Sequence, residues 1–385
     1  GARGISETDQ WNGTGGITFG DCSVTAADDP ENLDCSGSLF YSNSARSTAD
    51  LEITAGQWDG HSTPNVTRLN TTGNVSILPW ATDGKFIGDV DFFHRLASTK
   101  VGTTWVKQPL ASFTVGKDLG ATAMSNIVRV RNEVLSNGPI MVYGDGVEKY
   151  SNMQTLNSGA RILLKSSARI WVNTDADFTT NLGDVTLWSN SDNVSTGNIA
   201  GNIYLNNSVD FNTFNGVAAT TTANYASPWG SLTATTGGDI TLGGGLADGT
   251  DSNKPAGSAY SGQAADPAVR IGTGVATSTW NSSGGDITIK GVYNDNVTSQ
   301  VATIIYAGTI LNAGAGKIYV EGKATGAKGR GVEILYGANG NTFWYSTGGT
   351  SKSDPAITVK GSTQESGETG ILAAYWSNEP NNFLL

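Results

Sequence analysis

The sequence predicts an all-β chain wound as a solenoid, with a less regular section over residues 1–72. Three observations lead there: 51 Gly among 385 residues, about twice the usual share; a short element that recurs along the chain; and the lack of any long amphipathic helical pattern from residue 150 onward. The element is a glycine, one polar residue, then alternating apolar and polar positions. It reads Gly183-Asp-Val-Thr-Leu187, Gly201-Asn-Ile-Tyr-Leu205, Gly238-Asp-Ile-Thr-Leu242, Gly285-Asp-Ile-Thr-Ile289 and Gly316-Lys-Ile-Tyr-Val320. Weaker copies start at Gly73, Gly138 and Pro355.

Each copy is a strand of period two, with Val, Ile or Leu on one side and Thr or Tyr on the other. One such strand cannot bury its apolar face alone, whereas a stack of them buries a continuous one. Alignment of the copies puts Val185, Ile203, Ile240, Ile287, Ile318 and Ile357 in one inward column. Leu187, Leu205, Leu242, Ile289, Val320 and Val359 form the next. Further walls are expected from Arg161-Ile-Leu-Leu164, Arg169-Ile-Trp-Val172, Val269-Arg-Ile271, Ala302-Thr-Ile-Ile305, Gly331-Val-Glu-Ile-Leu335 and Gly370-Ile-Leu-Ala373. Gly and Asn mark the corners, where left-handed backbone costs them least.

The expected organisation is an irregular N-terminal section or cap over 1–72 and β-solenoid repeats with insertions over 73–385. Residues 243–267 read as a loop leaving the rod, and 116–135 as strand-bearing with a helix as the alternative. About 20 residues per coil would make roughly 15–19 rungs and a rod of roughly 70–90 Å.

Lys+Arg 23 against Asp+Glu 34 leaves −11. An acidic chain without a basic cluster is a poor partner for phosphate, which argues against nucleic acid. No apolar run is long enough to span a bilayer, so no transmembrane segment is expected. The only two cysteines, Cys22 and Cys35, sit in a polar stretch and read as one local disulfide of an oxidising compartment, with two unrelated thiols as the alternative. A start at Gly1 and not Met reads as processing, a signal peptide being one candidate, or as trimming, and export has to be argued on other grounds.

Phe113-Thr-Val-Gly-Lys117, Ser136-Asn-Gly-Pro-Ile-Met-Val-Tyr-Gly144, Ala160-Arg-Ile-Leu-Leu-Lys165, Gly183-Asp-Val-Thr-Leu-Trp-Ser-Asn-Ser191 and Gly237-Gly-Asp-Ile-Thr-Leu-Gly-Gly-Gly245 follow one another in order. This series resembles the repetitive passenger regions of large bacterial surface adhesins of the filamentous haemagglutinin-like type, over roughly residues 73 to 375. The resemblance implies a right-handed parallel β-helix, extracellular or at the cell surface, serving attachment or building fibres. It brings no catalytic residues to carry over.

Parallel β-helices also host polysaccharide hydrolases and lyases. Asn173-Thr174-Asp175 echoes the Asn-Thr-Asp of polygalacturonase-like hydrolases, which pair carboxylates across a glycosidic bond. Those enzymes place a Gly-His element downstream, whereas both histidines here, His61 and His94, lie upstream. The expected function is therefore a non-enzymatic adhesin or self-associating fibre component without a cofactor, with a carbohydrate-active enzyme as the alternative. Trp171 and Trp188 lie 17 residues apart, near one coil, and are the candidate glycan or subunit contacts, stacked as a ladder. Acidic loops over 28–34 and 243–251 read as solvated turns; a structural calcium ion is the alternative, and it would need six to eight oxygens.

Overall fold

The computed structural model describes residues 50–375 apart from 56, 60–66, 70, 80, 93, 97, 102–103, 125, 195–199, 215–235, 262–265, 295–299, 326–328, 337–341 and 365–368, together with the strands at 16–18, 22–24 and 33–35. Those residues form a right-handed parallel β-helix with no α-helix among them. One turn of the winding runs from Ile140–Gly144 to Gly146–Lys149 to Met153–Thr155 and returns at Ile162–Ser166. Its three strands belong to three separate sheets, here the first, second and third walls.

The first wall explains the recurring motif. Val185 pairs with Ile240, Ile240 with Ile287, Ile287 with Ile318 and Ile318 with Ile357, all in parallel register. The motif glycine is there because of its neighbour one turn below. A Cβ on Gly238 would fall 2.1 Å from the Gly183 carbonyl oxygen, one on Gly285 2.2 Å from that of Gly238, and one on Gly316 2.0 Å from that of Gly285. The Asp that follows ties the rungs together. Asp184 Oδ1 accepts the Asp239 amide at 2.8 Å, Asp239 Oδ1 accepts that of Asp286 at 2.8 Å, and Asp286 Oδ1 accepts that of Lys317 at 2.8 Å.

Two sequence assignments need correction. Ile203 and Leu205 leave the expected columns: their strand pairs with Ile170–Val172 and Val269–Ile271 in the second wall. Gly201 meets the side chain of Asn190 and no glycine of the ladder, so its motif is an alternation without the stacking contact. Conversely, Ile162–Ser166 belongs to the first wall, between Ile140–Gly144 and Val185–Ser189. The other five stretches assigned to further walls do build the second one.

The regular winding begins before residue 73, since Leu51–Ala55 already pairs in register with Asn74–Pro79. Among the described residues the longest wall path has eleven strands, fewer than the expected rungs, and at about 4.8 Å per rung these span about 50 Å. The coils are longer than 20 residues because insertions sit between them, as from Gly183 to Gly238. Residues 243–267 do not simply leave the rod. The strand Ile240–Ala247 extends outward and Pro255–Gly257 returns antiparallel to it.

The third wall is built by none of the stretches expected to supply it. Its strands are two to six residues long and present one large apolar side chain per turn: Val134, Met153, Phe178, Phe211, Trp280, Leu311 and Trp344. Phe178 stacks on Phe211 at 4.7 Å between centroids, and Phe211 meets Trp280 at 4.5 Å with the rings tilted by 51°. With the aliphatic columns these rings fill one core along the axis. At about 1.5–3 kcal/mol per buried large side chain, that core is the main stabilising term.

Candidate glycan-contact face

The two candidate tryptophans lie on different walls and do not form a ladder. Trp188 faces outward from the first wall at the position aligned with Lys165 and Gly243. There it is only 1% exposed, because two segments fold over it. The 117–124 segment brings Leu119 and Met124 against Tyr143, Leu163 and Trp188. The outward extension of the 240–247 strand offers the Gly245 carbonyl, which accepts the indole N–H at 2.8 Å. Lys165 lies over the ring at 4.1 Å and donates to Asp118 at 2.6 Å. As expected, 116–135 bears strands, Ile127–Val130 and Val134–Ser136, and not the alternative helix; the covering segment runs between Ser112–Val115 and Ile127–Val130.

The same hairpin is pinned to the acidic ladder. Lys254 Nζ sits 2.6 Å from Asp239 Oδ2 and 3.3 Å from Asp184 Oδ2. Burial opposes its charge, but the two carboxylates hold its ammonium above the ordinary lysine range. At the hairpin tip the carboxylates of Asp248 and Asp251 accept the Thr250 and Asn253 amides, each at 2.9 Å, which is turn chemistry. Among the described residues no three carboxylate, histidine or cysteine groups gather into a metal-holding set. Residues 28–32 lie outside the described residues, as does His61.

Trp171 faces outward from the second wall and is half-buried. Its column runs Asp91, Arg129, Glu148, Trp171, Tyr204 and Arg270, one residue per rung. Tyr204 meets Trp171 edge to face at 5.7 Å, and the Arg270 guanidinium covers its other side at 4.5 Å. Below Trp171, Glu148 accepts from Arg129 Nε at 3.0 Å, from Arg169 Nη2 at 3.0 Å and from the Tyr150 hydroxyl at 2.8 Å. Burial would raise the Glu148 carboxyl, but these three donors outweigh it and hold it below the ordinary range. Arg131 grips Asp91 with two bonds of 2.8 Å and lies over the Tyr150 ring at 4.0 Å. Beside this column Asn173 and Asn206 stand in contact, Asn206 Nδ2 donating to Asn173 Oδ1 at 3.4 Å.

The corner after this wall carries the carboxylates nearest to the Asn-Thr-Asp echo. Asp177 Oδ1 accepts the Asp210 amide at 3.0 Å, and Asp210 Oδ1 accepts the Thr279 amide at 2.5 Å. Burial, with Asp177 and Asp175 nearby, pushes Asp210 up to about 6. Inside the same corner Lys149 is wholly buried, which drives its amine well below the ordinary range. It donates to the carbonyls of Ala176 and Asp177 and lies 3.9 Å from the Phe178 ring. No sequence pattern marked Lys149, because a lysine at an inward position reads as an outward one.

The backbone of strand Cys22–Val24 pairs antiparallel with Leu33–Cys35, setting Cys22 opposite Cys35. No helix among the described residues is long and apolar enough to cross a membrane. No family model, curated protein or solved structure matches the chain.

Proposed function

We propose that this chain is a non-enzymatic extracellular β-solenoid of the surface-adhesin kind, which uses the outward face of its second wall to hold glycans. The observation that carries the reading is the half-buried Trp171, braced by Tyr204 and set among fixed hydrogen-bonding groups. A flat ring with an apolar face and polar neighbours suits the alternating CH and OH surfaces of sugars. The backbone register of Cys22 and Cys35 supports a disulfide between them, in keeping with an oxidising location. The resemblance to filamentous haemagglutinin-like adhesins points the same way.

The reading includes self-association into fibres through strand edges. Ile371–Tyr375 has one strand neighbour among the described residues, and Ile371 is 45% exposed. Such an edge favours pairing with another strand. Negative-stain images across a concentration series should contain filaments; a sharp monomer at every concentration contradicts that part.

The enzymatic alternative has one observation in its favour, the neighbouring Asp177 and Asp210 with the raised Asp210 carboxyl. Both carboxylates, however, are engaged in holding backbone amides of the next rung. The test is surface plasmon resonance on immobilised cell-wall and mucin glycans, with the same solutions assayed for new reducing ends. Saturable binding that Trp171→Ala abolishes, without new reducing ends, is the expected result. Reducing ends that disappear in Asp210→Asn would replace this reading with the hydrolase.

A further inference from the structure

The charge arrangement around Trp171 narrows the glycan class, an inference that rests on the glycan reading above. Every guanidinium bordering the ring on the Glu148 side already has a carboxylate. Arg131 holds Asp91, Arg129 holds Asp89 at 3.1 Å and Glu148 at 3.0 Å, and Arg169 holds Glu148. Three arginines against Asp89, Asp91 and Glu148 leave this patch with no net charge. An anionic sugar would have to displace internal carboxylates to reach these cations, and it would approach a chain of net charge −11. Exposed Asp175, two residues beyond Asn173, adds to that repulsion.

Beside the ring itself the groups left to meet a ligand are neutral; the Arg270 guanidinium lies beyond Tyr204, 4.5 Å from that ring, and donates to Asn206 Oδ1 at 3.3 Å. The Trp171 ring offers the surface that Tyr204 and the Arg169 guanidinium, 5.9 Å from its centroid, leave open, and Asn173 offers its Nδ2 donor, its Oδ1 already accepting the Thr174 amide at 3.0 Å and Asn206 Nδ2 at 3.4 Å.

We propose that the second-wall face binds an uncharged polysaccharide, with one sugar ring stacked on Trp171 and its hydroxyls hydrogen-bonded to the Asn173 amide. Affinity gel electrophoresis of the full chain tests this, with gels holding neutral polymers (glucan, mannan, galactan and xylan) or polygalacturonate. Retardation by at least one neutral polymer is expected, unchanged between about 0.1 M and 1 M salt because no counter-ions are released. Polygalacturonate should hold the chain about tenfold more weakly or not at all. Trp171→Ala should abolish retardation, Trp171→Phe should keep part of it, and Asn173→Ala should weaken it several-fold. The Phe variant separates loss of stacking from loss of fold. Retardation by polygalacturonate alone, removed by salt, overturns the uncharged class and leaves glycan binding standing. No retardation by any polymer overturns both, and unchanged retardation in Trp171→Ala removes the site.

Discussion

Trp188 and Trp171 both point away from the core on neighbouring walls of the same coil stack, yet one is sealed and the other is half open. The difference lies in what the loops do. Two insertions, 117–124 and the hairpin from Ile240–Ala247 to Pro255–Gly257, fold over the first wall and turn its outward Tyr143, Leu163 and Trp188 into a second small core. The outward column of the second wall around Glu148 and Trp171 is stabilised within the sheet itself, by ion pairs and ring contacts between adjacent rungs. A solenoid face is thus made structural or available according to its insertions, while the strands beneath are alike.

The largest effect that tests this contrast is removal of the two rings. Trp188→Ala should cost about 3–5 kcal/mol, the usual range for a buried Trp, and Trp171→Ala about 1 kcal/mol or less. Urea melts of both variants check it, and equal losses would erase the distinction. Next comes the ladder under the sealed wall. Gly238→Ala pushes a methyl group into the Gly183 backbone and should cost about 3 kcal/mol. Gly249→Ala, at the hairpin tip with open space around it, should stay within about 0.5 kcal/mol of the parent.

A smaller effect probes the corner that borders the open wall. The Asp210 carboxyl is raised in the folded state, so its proton stabilises the fold. That contribution is full below about pH 4 and fades as pH rises through about 6. Because the group keeps some contact with solvent, the loss should be about 2 kcal/mol or less. Asp210→Asn retains an acceptor for the Thr279 amide, so the difference in melting temperature between variant and parent should grow in the variant's favour from pH 4 to pH 7. A pH-independent difference would contradict the assignment. Smallest is Lys254→Gln, which releases the hairpin from Asp184 and Asp239. It should cost about 1 kcal/mol and raise amide exchange in Pro255–Gly257 while leaving the second wall unchanged.

The sequence made the first wall legible because two constraints coincide there. The motif glycine must lack a side chain to sit on the carbonyl below, and the alternation must point inward, so Gly-Asp-Ile-Thr-Leu stands out against a background of Ser and Thr. Gly201-Asn-Ile-Tyr-Leu205 satisfies the alternation alone, which is why it was aligned with the wrong wall. The strands of the third wall cannot be located in the sequence because one as short as Phe178–Thr179 holds one inward residue, too few for any periodicity. At the candidate site the aromatic residues could be named from the chain, but their fates could not. Burial of Trp188 depends on the Gly245 carbonyl, 57 residues away in sequence, and the setting of Trp171 depends on rung register with Glu148 and Tyr204.

The most direct test is oxidative footprinting of the tryptophans, read by mass spectrometry with and without a retarding neutral polysaccharide. The account predicts rapid oxidation of Trp171 that the polymer slows, and little oxidation of Trp188 until the chain unfolds. Equal oxidation of the two, or no protection of Trp171 by a polymer that binds, would contradict it.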